Sequence, residues 1–415
     1  MSHVTPPSRS GFWTFLVRFA VFAAPVLLVL GVVKSALWVS GDAWPAAMVV
    51  SHQQNAEAEV IYSRDFLSEH FGVYKRAGVT ASAPEVVVLG SSRVMQFRAE
   101  MVAPLSFYNA GGMLQNATDL TEYASLVARG ALPTPRLALI SVDPWWVKRS
   151  DGEARSHLHD SDDALNPGAH IDAFRYALRE GRGGEWLALL TTSRTAPQDE
   201  VKAIGSFAIR RGQGFRRDGS FQYSPLLLRE AAADPRFVDR ESPPIIERIR
   251  SRQLAFAPPV AFDYDKATAV TDALRSLRES GIEVWVYLPP FSTESEEALR
   301  DDPILRRWWE VYLGPFAEQL AETGASVIST PTPEAVGLDD RYMIDGFHPS
   351  EVMSGHTLLQ MMEQAPDASL LREIDAENLR AMLREAETPL AFEVPTLTPE
   401  AETALREERQ RSRRS

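Results

Sequence analysis

Val86-Val87-Val88-Leu89-Gly90-Ser91-Ser92-Arg93 is the stretch on which the fold turns. Four consecutive apolar residues, three of them β-branched, describe a strand covered on both faces, because a half-exposed strand would alternate with polar residues. Gly90 stops the strand, and the serines after it lead into a turn. Strands of this kind belong to parallel sheets, whose connections need helical crossovers. Sequence downstream supplies them. Leu105 to Tyr108 reads as a second strand, closed by Gly111-Gly112. Asp119 with Glu122 opens a helix that runs to Gly130, and Leu137 to Val142 is a third strand. After Pro259 the alternation resumes with a helix over Ala267 to Ser280, a strand over Val284 to Leu288, a helix over Leu305 to Thr323, a strand over Ser326 to Ser329 and a last helix from about Ser350. The fold class is α/β, a doubly wound parallel sheet with helices on both faces. Ligands of such sheets bind beyond the carboxyl ends of the strands.

Outward from this core the chain changes character. Residues 151–258 carry many arginines, glycines and acids with little strand alternation, and read as an insertion after the third strand. Residues 41–81 read as a stalk, 82–366 as the main α/β domain holding the insertion, and 367–415 as a charged helical tail that ends in Arg411, Arg413 and Arg414. At the other end, no charge lies between Phe19 and Val33, and with Lys34 snorkelling the apolar run reaches Val39. Those 21 residues match the roughly 20 that cross a bilayer core. Trp13 and Trp38 flank the run, and Arg9 and Arg18 precede it, so residues 1–40 predict a cytoplasmic tip and a single-pass signal anchor with everything after Ser40 outside. A cleaved signal peptide is the alternative, although the run is long for one.

Composition narrows the function. A net charge of −13 in 415 residues excludes a general nucleic-acid binder, which needs a basic face to displace phosphate counterions. The chain has no cysteine, so thiolate chemistry and disulfides are excluded. His157 and His159 have no third ligand nearby in sequence, and neither a metal nor a cofactor is assigned.

Two segments carry chemistry. Ser92 follows the strongest strand, at a turn that exposes a hydroxyl at the top of the sheet. Asp345-Gly346-Phe347-His348-Pro349 precedes the last helix, and a carboxylate three residues before an imidazole can orient it. A serine hydroxyl needs such a base. The expected triad is Ser92, His348 and Asp345.

These blocks resemble the SGNH, or GDSL-like, hydrolase family. Val86 to Ser92 matches its first block with Ser91 in place of aspartate; Tyr108-Asn109-Ala110-Gly111-Gly112 matches the second; Asp345 to His348 matches the last. The resemblance covers roughly residues 82–150 and 259–365, and implies a three-layer sheet in flavodoxin-like order. It departs at the third block, where Asp143 of Ser141-Val142-Asp143-Pro144 stands in place of the asparagine that donates to the oxyanion. An ionised carboxylate cannot donate. The expected oxyanion hole is therefore the amides of Ser92, Gly111 and Gly112, with Asn116. Arg93, Asp143, Trp145 and Trp146 are the candidate substrate contacts, the tryptophan pair either stacking on a sugar or packing. Arg210-Arg211 and Arg216-Arg217 form either a solvated loop or a contact to an anionic polymer.

Asp143-Pro144-Trp145, Leu288-Pro289-Pro290-Phe291 and the anchor together resemble a membrane-anchored subgroup that includes the D-alanyl transfer protein and polysaccharide O-acetylation proteins. That resemblance implies O-acylation of a cell-surface polysaccharide, a membrane-bound O-acyltransferase as partner, and a site in the periplasm or outside, tethered to the cytoplasmic (inner) membrane. The competing expectation is a degenerate domain kept as a scaffold subunit.

Overall fold

A computed structural model describes residues 9–67, 71–149, 155–191, 201–233 and 245–412; Arg413 and Arg414 lie outside the described residues. Nine strands are described among them: β1 (Val60–Tyr62), β2 (Val86–Gly90), β3 (Phe107–Gly111), β4 (Leu137–Ser141), β5 (Lys202–Ile204), β6 (Gly214–Phe215), β7 (Phe221–Gln222), β8 (Glu283–Leu288) and β9 (Ser326–Ser329). They form two sheets. The larger is entirely parallel, in the order β3-β2-β4-β8-β9. Counted within that sheet the order is 2-1-3-4-5, a doubly wound arrangement whose switch point lies between β2 and β4.

Why these strands form one sheet follows from their side chains. Val87, Leu89, Ala110, Ala138, Ile140, Val284 and Val286 face one apolar layer, with the helices Ala117–Ala128 and Tyr264–Glu279 on it. Val86, Val88, Leu137, Leu139, Trp285 and Ile328 face the other, under the helix Glu351–Gln364. Adjacent residues of one strand thus enter opposite cores, the period-two geometry of a pleat buried on both sides. The second strand begins at Phe107 and continues through Gly111, three residues beyond the stretch expected to be extended, because Asn109, Ala110 and Gly111 pair with Val88, Leu89 and Gly90. The expected helix over residues 305–323 is described as Pro303–Val311 and Ala317–Glu322 around a wider turn, Tyr312–Phe316, that accommodates Pro315.

A smaller mixed sheet, β5-β1-β6-β7, joins two segments far apart in sequence. Val60, Ile61 and Tyr62 pair in parallel with Lys202, Ala203 and Ile204, and Tyr62 pairs antiparallel with Phe215. Residues read as stalk and residues read as insertion therefore build one body. The β6–β7 turn reaches the edge strand β3, where the Asn109 amide donates to Asp218 O at 2.7 Å. It covers an edge that would otherwise be open to pairing. The four arginines of this region are engaged within the protein, and Arg216 is buried. Arg216 pairs with Glu351 at 2.8 Å, Arg217 donates to the carbonyls of Ala56 and Ala58, Arg210 pairs with Glu185 at 2.7 Å, and Arg211 stacks on Phe207.

The C-terminal segment also packs. Leu370, Leu371, Leu379 and Phe392 are buried in the second core layer. At the other end, Arg9–Ser40 is one helix, and its stretch Phe12–Ser40 is long and apolar enough to cross a membrane.

Glu351 locks these parts together. Its 2 % exposed side chain pairs with Arg98 at 3.3 Å and Arg216 at 2.8 Å and accepts from the Phe392 amide at 3.1 Å. Removing one partner from a buried ionic cluster leaves its counter-charges stranded. Glu351→Ala should cost roughly 3–5 kcal/mol of stability, read as a fall in the denaturant midpoint; an unchanged midpoint contradicts this role.

Candidate active site

The carboxyl ends of β2, β3, β4 and β8 converge on one rim, and the residues singled out by sequence lie along it. After β2, Gly90 has φ +147, and a Cβ there would stand 2.7 Å from Ser141 Cβ, so the chain leaves the strand in a conformation that suits glycine. Ser91 then caps a single 3₁₀ turn, Ser92–Val94, its hydroxyl accepting from the Arg93 amide at 3.3 Å. Ser91 is 3 % exposed and spent on this cap. Ser92, the first residue of the turn, points its hydroxyl outward.

The His348 loop meets it from the other side of the rim. Asp345 Oδ1 accepts from the amides of Phe347 at 2.9 Å and His348 at 2.8 Å, which folds residues 345–348 into a tight turn. The base of the loop is closed by the Ile344 amide donating to His348 O at 2.8 Å. Gly346 has Ile245 and Ser295 pressed against the place a Cβ would take, and its carbonyl accepts from the Ser292 amide at 2.8 Å. Held this way, His348 Nδ1 lies 2.7 Å from Asp345 Oδ2 and His348 Nε2 lies 2.8 Å from Ser92 Oγ. Three residues expected to meet from sequence are joined in one hydrogen-bonded row.

Burial alone would raise the Asp345 carboxyl, but His348 and the two backbone amides outweigh it and hold the group below its ordinary value. A carboxylate so lowered contributes stability that is present above 3.8 and is lost as pH falls through the lower folded value. The Asp345–His348 bond therefore keeps its ionised acceptor throughout the neutral range.

Arg93 and Asp143 do not face a substrate. Both side chains are 0 % exposed and pair with each other at 3.2 Å beneath the rim. Arg93 also donates to Phe347 O at 2.9 Å, Pro289 O at 3.1 Å and Pro290 O, and its guanidinium stacks 4.5 Å from the Phe291 ring. It is a positioning residue that joins the serine turn to the histidine loop and to the end of β8. Burial pushes the Asp143 carboxyl up, against the opposing charge of Arg93.

The expected oxyanion donors divide. Gly111 donates its amide to Asn109 Oδ1 at 2.8 Å, and Gly112 donates to Gly90 O at 2.8 Å, so both are committed within the fold. The partner of Gly111, Asn109, is fully buried, and its Nδ2 also donates to Val94 O and Phe97 O at 2.8 Å each. It staples the β3 turn to the serine turn. Ser92's own amide, at the start of a helical turn, has no acceptor among the described residues. Asn116 caps the helix Ala117–Ala128 through Oδ1, which accepts from the Asp119 amide, and its side-chain NH2 is left for another acceptor.

Asn116 borders a cleft of about 170 Å³ with Trp145, Lys148, Arg149 and Lys266. Trp145 sets its ring edge-to-face against Phe347, 6.4 Å away, so one side chain both borders the cleft and touches the histidine loop. Burial, and then the neighbouring Lys266, lower the Lys148 ammonium from its ordinary value. Trp146 borders the same cleft but is 1 % exposed, with its side chain in the main core. Sequence reading missed Lys148 and Lys266; their placement depends on the Lys266 ammonium donating to Lys148 O at 2.9 Å across 118 residues.

No family model, curated protein or solved structure matches this chain.

The buried pair gives a test of this geometry. Arg93→Met strands the Asp143 carboxylate and should cost roughly 3–5 kcal/mol. Adding Asp143→Leu should recover much of that loss in denaturant melts, as a coupled pair requires. Additive losses would show that the two residues act independently.

Proposed function

We propose that this chain is a serine esterase or acyltransferase of SGNH type, working outside the cytoplasmic membrane on a cell-surface polysaccharide. The observation that carries the reading is the row Ser92 Oγ, His348 Nε2, His348 Nδ1, Asp345 Oδ2, with neighbours at 2.8 and 2.7 Å. Hydroxyl, imidazole and carboxylate in that sequence are the means by which proteins turn serine into a nucleophile.

The steps follow from the geometry. Ser92 Oγ attacks the carbonyl carbon of a bound acyl ester while its proton passes to His348 Nε2. Asp345 stabilises the imidazolium and keeps Nδ1 protonated. The Ser92 amide and the Asn116 side-chain NH2 are the donors left for the oxyanion. His348 returns the proton to the leaving alcohol, and an acyl group stays on Ser92. A carbohydrate hydroxyl, or water, then gives its proton to His348 and takes the acyl group, and His348 returns that proton to the departing Ser92 Oγ. The cleft beside Trp145 is suited to the acceptor: an aromatic face and two ammonium groups hold a polar ring better than an apolar chain.

A scaffold role is the second reading, and one observation favours it. Asp143 replaces a donor and the amides of Gly111 and Gly112 are committed, so few oxyanion donors remain; each donor lost costs about 3 kcal/mol of transition-state stabilisation. Slow transfer between partners tolerates this loss better than rapid free hydrolysis does. The apolar helix Phe12–Ser40 supports a tether that raises the local concentration of a membrane-borne donor or a membrane-bound O-acyltransferase.

Fluorophosphonate labelling should disappear in Ser92→Ala, survive in Ser91→Ala and slow roughly 10⁴-fold in Asp345→Asn, which imposes the wrong tautomer on the imidazole. Deleting the gene should remove ester-linked acyl groups from surface polysaccharide, restored by the wild type and not by Ser92→Ala. Restoration by Ser92→Ala would establish the scaffold role instead.

A further inference from the structure

Residues 165–190 have an unusual surface. Ten large hydrophobic side chains outside the N-terminal helix are exposed among the described residues, and six of them lie here: Leu165, Ile171, Tyr176, Leu178, Leu187 and Leu190, between 36 % and 70 % exposed. Clustered exposed apolar surface marks a place that something else covers.

The helix Pro167–Arg179 shows how the cluster is arranged. His170, Ala173 and Ala177 are its buried stripe. At 100° per residue, Ile171 and Leu178 fall side by side on one flank of that stripe and Tyr176 on the other, while Asp172, Arg175 and Arg179 occupy the opposite face. The apolar arc is therefore wider than the part that the protein buries. Leu187 and Leu190, three residues apart on the next helical stretch, extend it.

The cluster is packed on the last turns of the N-terminal helix. Val33, Ala36 and Leu37 of that helix are 0–2 % exposed against Ala173, Ala177, Trp186 and Leu189, while Phe19, Phe22, Leu27 and Leu30 are bare. Where this helix spans a bilayer over residues 19–39, Val33 to Leu37 sit about 3 to 9 Å short of its outer end, at 1.5 Å per residue. Side chains packed on them stand at the depth of the interface, where a helix with a broad apolar face and a charged back lies flat. The body cannot lift away without breaking that contact. Arg182 and Arg210 pair with Asp65, and Arg64 with Asp162 at 3.2 Å, which fastens the cluster to the smaller sheet.

We infer that residues 165–190 are a membrane seat: Ile171, Leu178, Leu187 and their neighbours enter the lipid interface beside the exit of the spanning helix. The occupant is lipid because the patch is continuous with the bare surface of that helix. The inference rests on the helix spanning a bilayer and is independent of the proposed chemistry at Ser92.

The test uses the full chain in lipid nanodiscs. The chain has no cysteine, so Leu178→Cys, Leu187→Cys, Val29→Cys and Arg275→Cys each carry one environment-sensitive fluorophore. Brominated lipid should quench the probes at 178 and 187, with a blue-shifted emission like that of Val29→Cys, and leave the probe at 275 unquenched. Quenching at 29 with solvent-like emission at 178 and 187 overturns the seat. No quenching at 29 overturns the spanning helix itself.

Discussion

A buried guanidinium sets the terms for everything on the upper rim. Arg93 follows Ser92 directly, and no water reaches it. A charge in that position is tolerable only when its donors are met, and Arg93 meets them with four groups from three separate parts of the chain: Asp143 after β4, Pro289 and Pro290 after β8, and Phe347 in the histidine loop. Any displacement of the serine turn from that loop would expose an unmet donor in a low-dielectric interior. The Ser92–His348 distance is thus maintained from below, by an ion pair and three carbonyls, rather than by the 2.8 Å hydrogen bond alone.

That arrangement explains what was legible from sequence. The five strands of the parallel sheet were, because each is an apolar run or a short β-branched stretch ended by glycine, proline or a polar turn. The row Ser92, His348, Asp345 was, because both segments follow strand ends and such ends share one rim. Arg93 was expected beside a substrate because it adjoins the serine; its burial depends on Asp143, fifty residues away, and on carbonyls that local sequence does not reveal. Gly111 and Gly112 looked like available donors for the same reason, since Asn109 is what occupies the first of them. The smaller sheet was missed outright. Strands of two or three residues such as β1, β6 and β7 have no period to detect, and β1 pairs with β5 and β6 across more than 130 residues.

The smaller sheet also changes the meaning of the long insertion. Sequence placed it only as an insertion after the third strand. Within the described parts of residues 155–233, two groups stand out. One group closes the β3 edge and joins Glu351; the other packs on the end of the N-terminal helix. Trp145 links the proposed site to the neighbouring cleft, touching the histidine loop on one side and bordering the cleft on the other. Few remaining oxyanion donors fit slow acyl transfer better than rapid free hydrolysis.

The central claim is that Ser92 carries the acyl group. Intact protein incubated with an activated acetyl ester, stopped with acid and mapped by peptide mass spectrometry measures this directly. The account predicts one acetyl group on the peptide containing Ser92, absent when His348 is replaced by alanine. Acetylation spread over surface lysines with none on Ser92, or a Ser92 adduct that forms equally well without His348, would contradict it.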